Sequence, residues 1–216
     1  MKILTCIYIL SILVAFLSSL RSFRLDFPVH LRLFSGLLGL TLLVEITAAM
    51  LVWVVLRPNA WVYNSFTILE FWVYGYFFRS LLPGKTTQRL LLLFLVIFPI
   101  FWFVTVFYLF GFTIWNSYVI IAGSFFSVLC CLLYYYRILT SHEITNLRTL
   151  PEFWIATGML IFYMAALPYF GSLNFLVRYH MNVAKNLWIV LVCLNTCMYT
   201  FFTYGYLCWI RNTKKS

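Results

Sequence analysis

Charge is what this sequence has least of. Only 9% of its 216 residues are charged, and five acidic residues stand against fifteen Lys and Arg, for a formal net charge of +10. A soluble domain carries about 25% charged residues. A water-soluble globule of this length could not cover its surface with so few. Histidine is nearly as scarce. His30, His142 and His180 all fall in connections, and none forms the His-Glu-x-x-His pattern of a zinc protease or the histidine set of a membrane hydrolase. There is no Gly-rich phosphate cradle, no Ser/His/Asp set at a common depth, and no lysine midway along the last apolar segment to form a retinal Schiff base. These shortages exclude a soluble enzyme, a secreted disulfide scaffold and a disordered chain, and they leave no catalytic set, metal site or cofactor motif.

What is present is hydrophobicity, at 64% of residues, with 21% aromatic. A bilayer core takes about 20 apolar residues per helix. Seven stretches meet that length: 3–20, 33–56, 61–78, 90–110, 113–136, 153–173 and 187–210. The fold class this predicts is all-α, a single polytopic transmembrane bundle of seven helices. A β-barrel would alternate polar and apolar residues, whereas Leu90 to Phe98 is continuously apolar. No connection approaches the roughly 50 residues a soluble domain needs, so any chemistry lies inside the bundle or in a partner chain.

Positive charge in short loops sets orientation. With the N-terminus outside, eleven basic residues fall inside: Arg21, Arg24, Arg32, Arg79, Lys85, Arg89, Arg137, Arg148, Arg211, Lys214 and Lys215. Four fall outside: Lys2, Arg57, Arg178 and Lys185. The expectation is N-terminus outside and C-terminus cytoplasmic, and the net charge reads as topology and lipid-headgroup attraction, with no nucleic acid as partner. The first run, 18 residues behind Lys2, exceeds the apolar core of a secretory signal, about 7–15 residues. It reads as a retained span; cleavage would leave six.

Trp53, Trp61 and Tyr63 flank the external turn Arg57-Pro58-Asn59-Ala60, and Tyr134, Tyr135 and Tyr136 precede Arg137. They are expected as interface anchors, one end apolar and one wet. Pro83-Gly84-Lys85 marks a turn, the connection Ile138–Glu152 contains Ser141-His142-Glu143, and Pro151 suits a helix's first turn. Residues 174–186 read as a solvated external loop. All six cysteines, Cys6, Cys130, Cys131, Cys193, Cys197 and Cys208, lie in apolar stretches and act there as small apolar residues.

The most informative residues are Glu45 and Glu70, two of the five acids, both at mid-membrane positions. An acidic residue at a helix centre costs about 2.5–3.5 kcal/mol on insertion scales, and such residues face the bundle interior and mark pathways or relays. Glu45 lies about 16 Å before the external turn and Glu70 about 13–14 Å after it, at 1.5 Å per residue. They therefore stand at nearly one depth on adjacent antiparallel helices. Thr41 shares the Glu45 face; Tyr63, Thr67 and Tyr74 share the Glu70 face; Asn195, Tyr199 and Tyr206 add polarity to the last span. The expectation is a polar seam through spans two, three and seven. Either it glues the helices, at about 0.6–2 kcal/mol per bond, or it is a ligand or proton site whose candidates are Glu45, Glu70, Tyr63, Thr67, Tyr74, Thr41, Asn195 and Tyr199.

Pro151-Glu152-Phe153-Trp154-Ile155, Gly158 and Tyr163, followed by the polar-spotted last span, join Tyr63-Asn64-Ser65 and Glu70 upstream. Together they resemble small uncharacterised seven-helix membrane proteins of bacteria, similar to the membrane input parts of some sensor histidine kinases. The resemblance implies a sensory or accessory signalling role, exerted through a partner membrane or cytoplasmic protein in the inner membrane. No kinase or output domain is expected within these 216 residues. The alternative is a small proton-coupled transporter using Glu45 and Glu70; Pro99 and Pro168 interrupt helices but do not match between the halves, and no internal repeat is evident. An intramembrane enzyme is a third reading, and it lacks a nucleophile–base set.

Overall fold

The computed structural model describes residues 2–23, 27–141 and 147–213; His142 and Glu143 of the long internal connection lie outside the described residues. All regular structure among the described residues is helical. Helix α1 is Lys2–Ser19, α2 is Val29–Met50, α3 is Ala60–Leu81 and α4 is Lys85–Val104. Helix α5 is Ser117–Thr140, α6 is Pro151–Tyr179 and α7 is Met181–Thr213. Wider π turns extend α2 over Leu51–Val55 and α4 over Thr105–Phe110.

Six helical stretches are long and apolar enough to cross a membrane: Lys2–Phe23, Val29–Val55, Lys85–Leu109, Ser117–Thr140, Pro151–Leu173 and Met181–Cys208. That is the signature of an integral membrane protein. The stretch 61–78, expected as a further span, is helical within α3 but is not one of these six. Helix α3 has 22 residues and only Glu70 and Arg79 as charges, so length and charge do not set it apart. Its Tyr, Asn, Ser and Thr side chains lower its apolarity. Those side chains have neighbours to meet, because α3 packs on α2, α4 and α5.

The helices close into a ring. α1 packs on α2 and α7, α2 on α3, α3 on α5, α5 on α6, and α6 on α7. α4 stands outside the ring, against α3 and α5. The α6–α7 contact is close because glycine allows it: a Cβ on Gly205 would lie 3.0 Å from the Pro151 carbonyl oxygen, and one on Gly158 3.1 Å from that of Met198. Small residues let membrane helices approach backbone to backbone. Gly84, at φ +113°, turns the chain from α3 into α4.

One end of the ring carries the start of α1, the α2–α3 and α4–α5 connections and the α6–α7 reversal; it is the amino-terminal face. At the other end the bundle is filled. Phe34, Phe77 and Phe202 are fully buried and in ring contact, at 5.3 Å for Phe34–Phe77 and 5.1 Å for Phe34–Phe202. The Tyr206 hydroxyl donates to the Leu31 carbonyl at 2.9 Å and accepts from Ser35 at 3.1 Å, and Ser35 meets Ser22 at 2.8 Å. His30 and Glu152 pair at 3.0 Å, tying α2 to α6.

Several local expectations change. His30, expected in a connection, sits in the first turn of α2. The loop expected over 174–186 is almost entirely helix, with only His180 breaking α6 from α7. Of the three expected anchor tyrosines, Tyr136 is exposed, while Tyr134 is buried and Tyr135 hydrogen-bonds Thr157. Pro151 does open α6.

Candidate functional site

In the amino-terminal half the ring encloses a cavity of about 470 Å³. Its wall begins at Asn59 and Trp115, in connections at the amino-terminal face, and reaches inward to Glu70, Phe71 and Tyr163. Every helix of the ring contributes to it, and among the described residues α4 contributes none.

The stripes on α2, α3 and α7 explain why space remains here. On α2 the inward face reads Leu31, Phe34 and Leu38, then Thr41, Glu45 and Ala49. Large apolar residues give way to small and polar ones halfway along. On α3 the order is reversed, from Tyr63, Thr67 and Glu70 to Tyr74 and Phe77, as it must be on an antiparallel neighbour. On α7 Asn195 precedes Tyr199, Phe202 and Tyr206.

Each acid has its own pair of tyrosines. The Tyr8 hydroxyl of α1 donates to Glu45 Oε1 and the Tyr63 hydroxyl of α3 donates to Glu45 Oε2, both at 2.9 Å. Tyr74 and Tyr163 both donate to Glu70 Oε1, at 3.2 and 3.1 Å. The two acids share the cavity but are not bonded to each other among the described residues. Glu45 engages α3 at Tyr63, seven residues before Glu70 and thus about 10 Å along the helix at 1.5 Å per residue. Each acid thus meets α3 at its own tyrosine, Glu45 at Tyr63 and Glu70 at Tyr74.

Of the eight sequence candidates, Glu45, Glu70, Tyr63, Thr67, Thr41, Asn195 and Tyr199 line the cavity. Tyr74 stands behind the wall, bonded to Glu70. Tyr206, the last member of the expected seam, belongs to the packed half. Trp53 and Tyr63, expected as interface anchors, line the cavity; Trp61 is exposed and lies outside the lining.

Sequence reasoning missed two partners of the acids. Tyr8 is the one tyrosine in α1, and Tyr163 sits mid-helix in α6 without a polar neighbour to flag it. The signal was available in principle: a mid-span tyrosine needs a partner for its hydroxyl, and only two mid-span carboxylates exist to accept. A third omission is Asn64. Its amide nitrogen donates to the Phe112 and Ile114 carbonyls at 2.9 and 2.8 Å, its side-chain oxygen accepts from the Asn116 amide at 3.3 Å, and Trp102 donates to its carbonyl at 2.7 Å. Asn116 in turn donates to Thr105 at 2.8 Å. This network holds the α4–α5 connection against α3 and sets Trp115 on Tyr63, ring centroids 5.0 Å apart.

Phe71 forms the floor, touching Tyr74, Tyr163 and Phe98 at 5.5–5.9 Å between centroids. It lies on Gly123 of α5, where any Cβ would overlap the ring. Tyr8 and Tyr199 pack at 5.9 Å across the α1–α7 contact.

In comparisons with known proteins, no family model and no curated protein matches the sequence, and no solved structure matches the fold.

Proposed function

We propose that this chain is a seven-span protein of a bacterial inner membrane, N-terminus outside and C-terminus cytoplasmic, that acts as a non-enzymatic sensory or accessory signalling module. It takes a small ligand into the cavity of its amino-terminal half and passes occupancy to a partner membrane or cytoplasmic protein. The observation that carries this reading is the one-sided cavity, whose wall reaches the connections of the amino-terminal face at Asn59 and Trp115 and which is backed by fully buried aromatic rings toward the other end. A receptor needs access from one side only. The surplus of basic residues at the opposite end supports the orientation, since Arg21, Arg32, Arg79, Lys85, Arg89, Arg137 and Arg148 all fall there against Lys2, Arg57, Arg178 and Lys185 at the cavity end.

The second reading, a proton-coupled transporter, draws on Glu45 and Glu70 in the cavity wall. One experiment separates the two. In a background with the six cysteines replaced, Thr41→Cys and Asn195→Cys are treated with a membrane-impermeant thiol reagent in right-side-out and inverted vesicles. The module is expected to label from the outside only. Labelling from both sides would replace the module with a carrier, and labelling from the inside alone would overturn the orientation.

A further inference from the structure

We propose that the cavity takes an organic cation, an ammonium group seated at Glu70 and Glu45 with its apolar body against aromatic rings. This rests on the cavity being a binding site and adds the chemical class of its ligand.

The first support is the sign of the wall. The chain holds three basic residues for each acidic one, yet among the described residues the cavity is lined by two carboxyl groups and by no Lys, Arg or His. The four cations of the amino-terminal face, Lys2, Arg57, Arg178 and Lys185, are exposed and lie outside the lining.

The second is the direction of the hydroxyl protons. Tyr8 and Tyr63 donate to Glu45, and Tyr74 and Tyr163 to Glu70. Thr41 and Thr67 donate backward to the carbonyls of Leu37 and Tyr63, at 2.8 and 2.7 Å. These six hydroxyl donors are thus committed to the protein itself. Both bonds to Glu70 arrive at Oε1, so Oε2 receives neither tyrosine, and a carboxylate has about four acceptor sites in all. Beside its indole and amide N–H groups, the cavity offers a ligand two carboxyl groups as acceptors. An anion would meet two carboxyl groups and, among the described lining residues, no compensating cation; an ammonium group brings the opposite charge and the donors that carboxyl groups accept.

The third is the wall's aromatic content. Trp53, Trp115, Trp188 and Tyr199 line the cavity with Phe71 and Phe170. Ring faces attract a cation within about 6 Å of their centroids, most strongly for Trp, and cages of such rings bind quaternary ammonium groups. A volume of about 470 Å³ falls in the range of small-molecule sites, about 300–1,000 Å³. The ammonium can belong to a free amine entering from outside or to the headgroup of an amine-bearing lipid.

The test uses the full chain in uncharged maltoside micelles, which contain no amine, with intrinsic tryptophan fluorescence as readout. Three probes are titrated: phenethyltrimethylammonium, its neutral isostere with carbon in place of the nitrogen, and phenylpropionate. The cation is expected to give a saturable change at least tenfold tighter than the isostere. Glu70→Gln is expected to weaken the cation at least tenfold and leave the isostere unchanged, while Trp61→Phe, outside the cavity, leaves both unchanged. If Glu70→Gln does not fold, the cation-to-isostere ratio of the unaltered chain decides alone. Equal or tighter binding of the isostere or the carboxylate would overturn the proposal, as would no saturable binding of the cation. Thiol labelling at Thr41→Cys and Asn195→Cys then shows whether the cavity itself is accessible, so loss of the ligand class is distinguishable from loss of the site. Adding phosphatidylethanolamine to the micelles identifies the source: competition with the cation marks the lipid headgroup, and none marks a free amine.

Discussion

The amino-terminal and carboxyl-terminal halves of this bundle are made by the same six ring helices, yet one half holds a cavity and the other is solid. Along α2 the inward side chains pass from Phe34 and Leu38 to Thr41, Glu45 and Ala49, and along α7 from Phe202 and Tyr206 back to Asn195 and Val192. A six-helix ring has more room at its centre than a four-helix bundle, and large rings must point inward to fill it. Where Phe34, Phe77 and Phe202 do so, nothing is left. Where small and polar residues take their places, the tyrosines spend their hydroxyls on the two acids and line the space instead of filling it. The comparison teaches that the two carboxyl groups border open space in one half of the ring, while the polar groups of the other half, Ser22, Ser35, Tyr206 and the His30–Glu152 pair, are satisfied by one another within a packed core.

The comparison can be broken from the packed side first. Phe34→Ala should remove the contacts with Phe77, Phe202 and Tyr74 and cost on the order of 2–3 kcal/mol, the cavity part of a large-to-small change. The transfer part largely falls away, because lipid is as apolar as the core. Denaturant unfolding in detergent measures it, and a loss under about 0.5 kcal/mol, the scale of a surface change, would refute the solid half.

Gly123→Ala comes next. The added methyl overlaps Phe71 and should cost about 1–3 kcal/mol as overpacking. Because Phe71 is the cavity floor, accessibility at Thr41→Cys should change with it. A stability loss without such a change would show that Phe71 does not separate the two halves.

Asn64→Ala removes the side chain that holds Phe112, Ile114 and Asn116. Its expected cost is about 1–2 kcal/mol, a few interhelical bonds at membrane values. Proteolysis or hydrogen exchange should show the 111–116 connection loosened while α6 and α7 keep their protection.

The smallest effect sharpens the comparison. Tyr8→Phe deletes one bond to Glu45 and should cost about 0.6 kcal/mol. Glu45→Gln keeps an acceptor for Tyr8 or Tyr63 and should lie within about 0.5 kcal/mol of the unaltered chain. A large loss from either would mean that the acids are structural glue and that the cavity half is held together by them.

Much of this was legible along the chain. Apolar run length located the helices, because a bilayer requires about 20 residues and leaves no room for another solution. The expense of a carboxyl group in lipid singled out Glu45 and Glu70, and helical spacing assigned Thr41, Tyr63, Thr67 and Tyr74 to their faces. Which acid Tyr8 and Tyr163 would meet was not legible, because they reach the acids from helices remote in sequence, by 37 and 93 residues. The role of Asn64 carries no such signal, since its partners are carbonyls of a connection whose path no periodicity encodes. The helical continuation through 174–186 was also hidden, because polar residues at the ends of long helices read like a loop.

Length, apolarity and the sign of the loop charges, taken from the sequence by themselves, determined an all-helical membrane chain and which residues are too polar to face lipid. Those are local properties, set residue by residue against the solvent. Only the tertiary structure decided that six helices close into a ring with α4 outside it, that each acid takes a separate tyrosine pair, and that the space between them is a cavity in one half. Those follow from which distant side chains meet, and that is settled by how shapes on different helices fill a common volume.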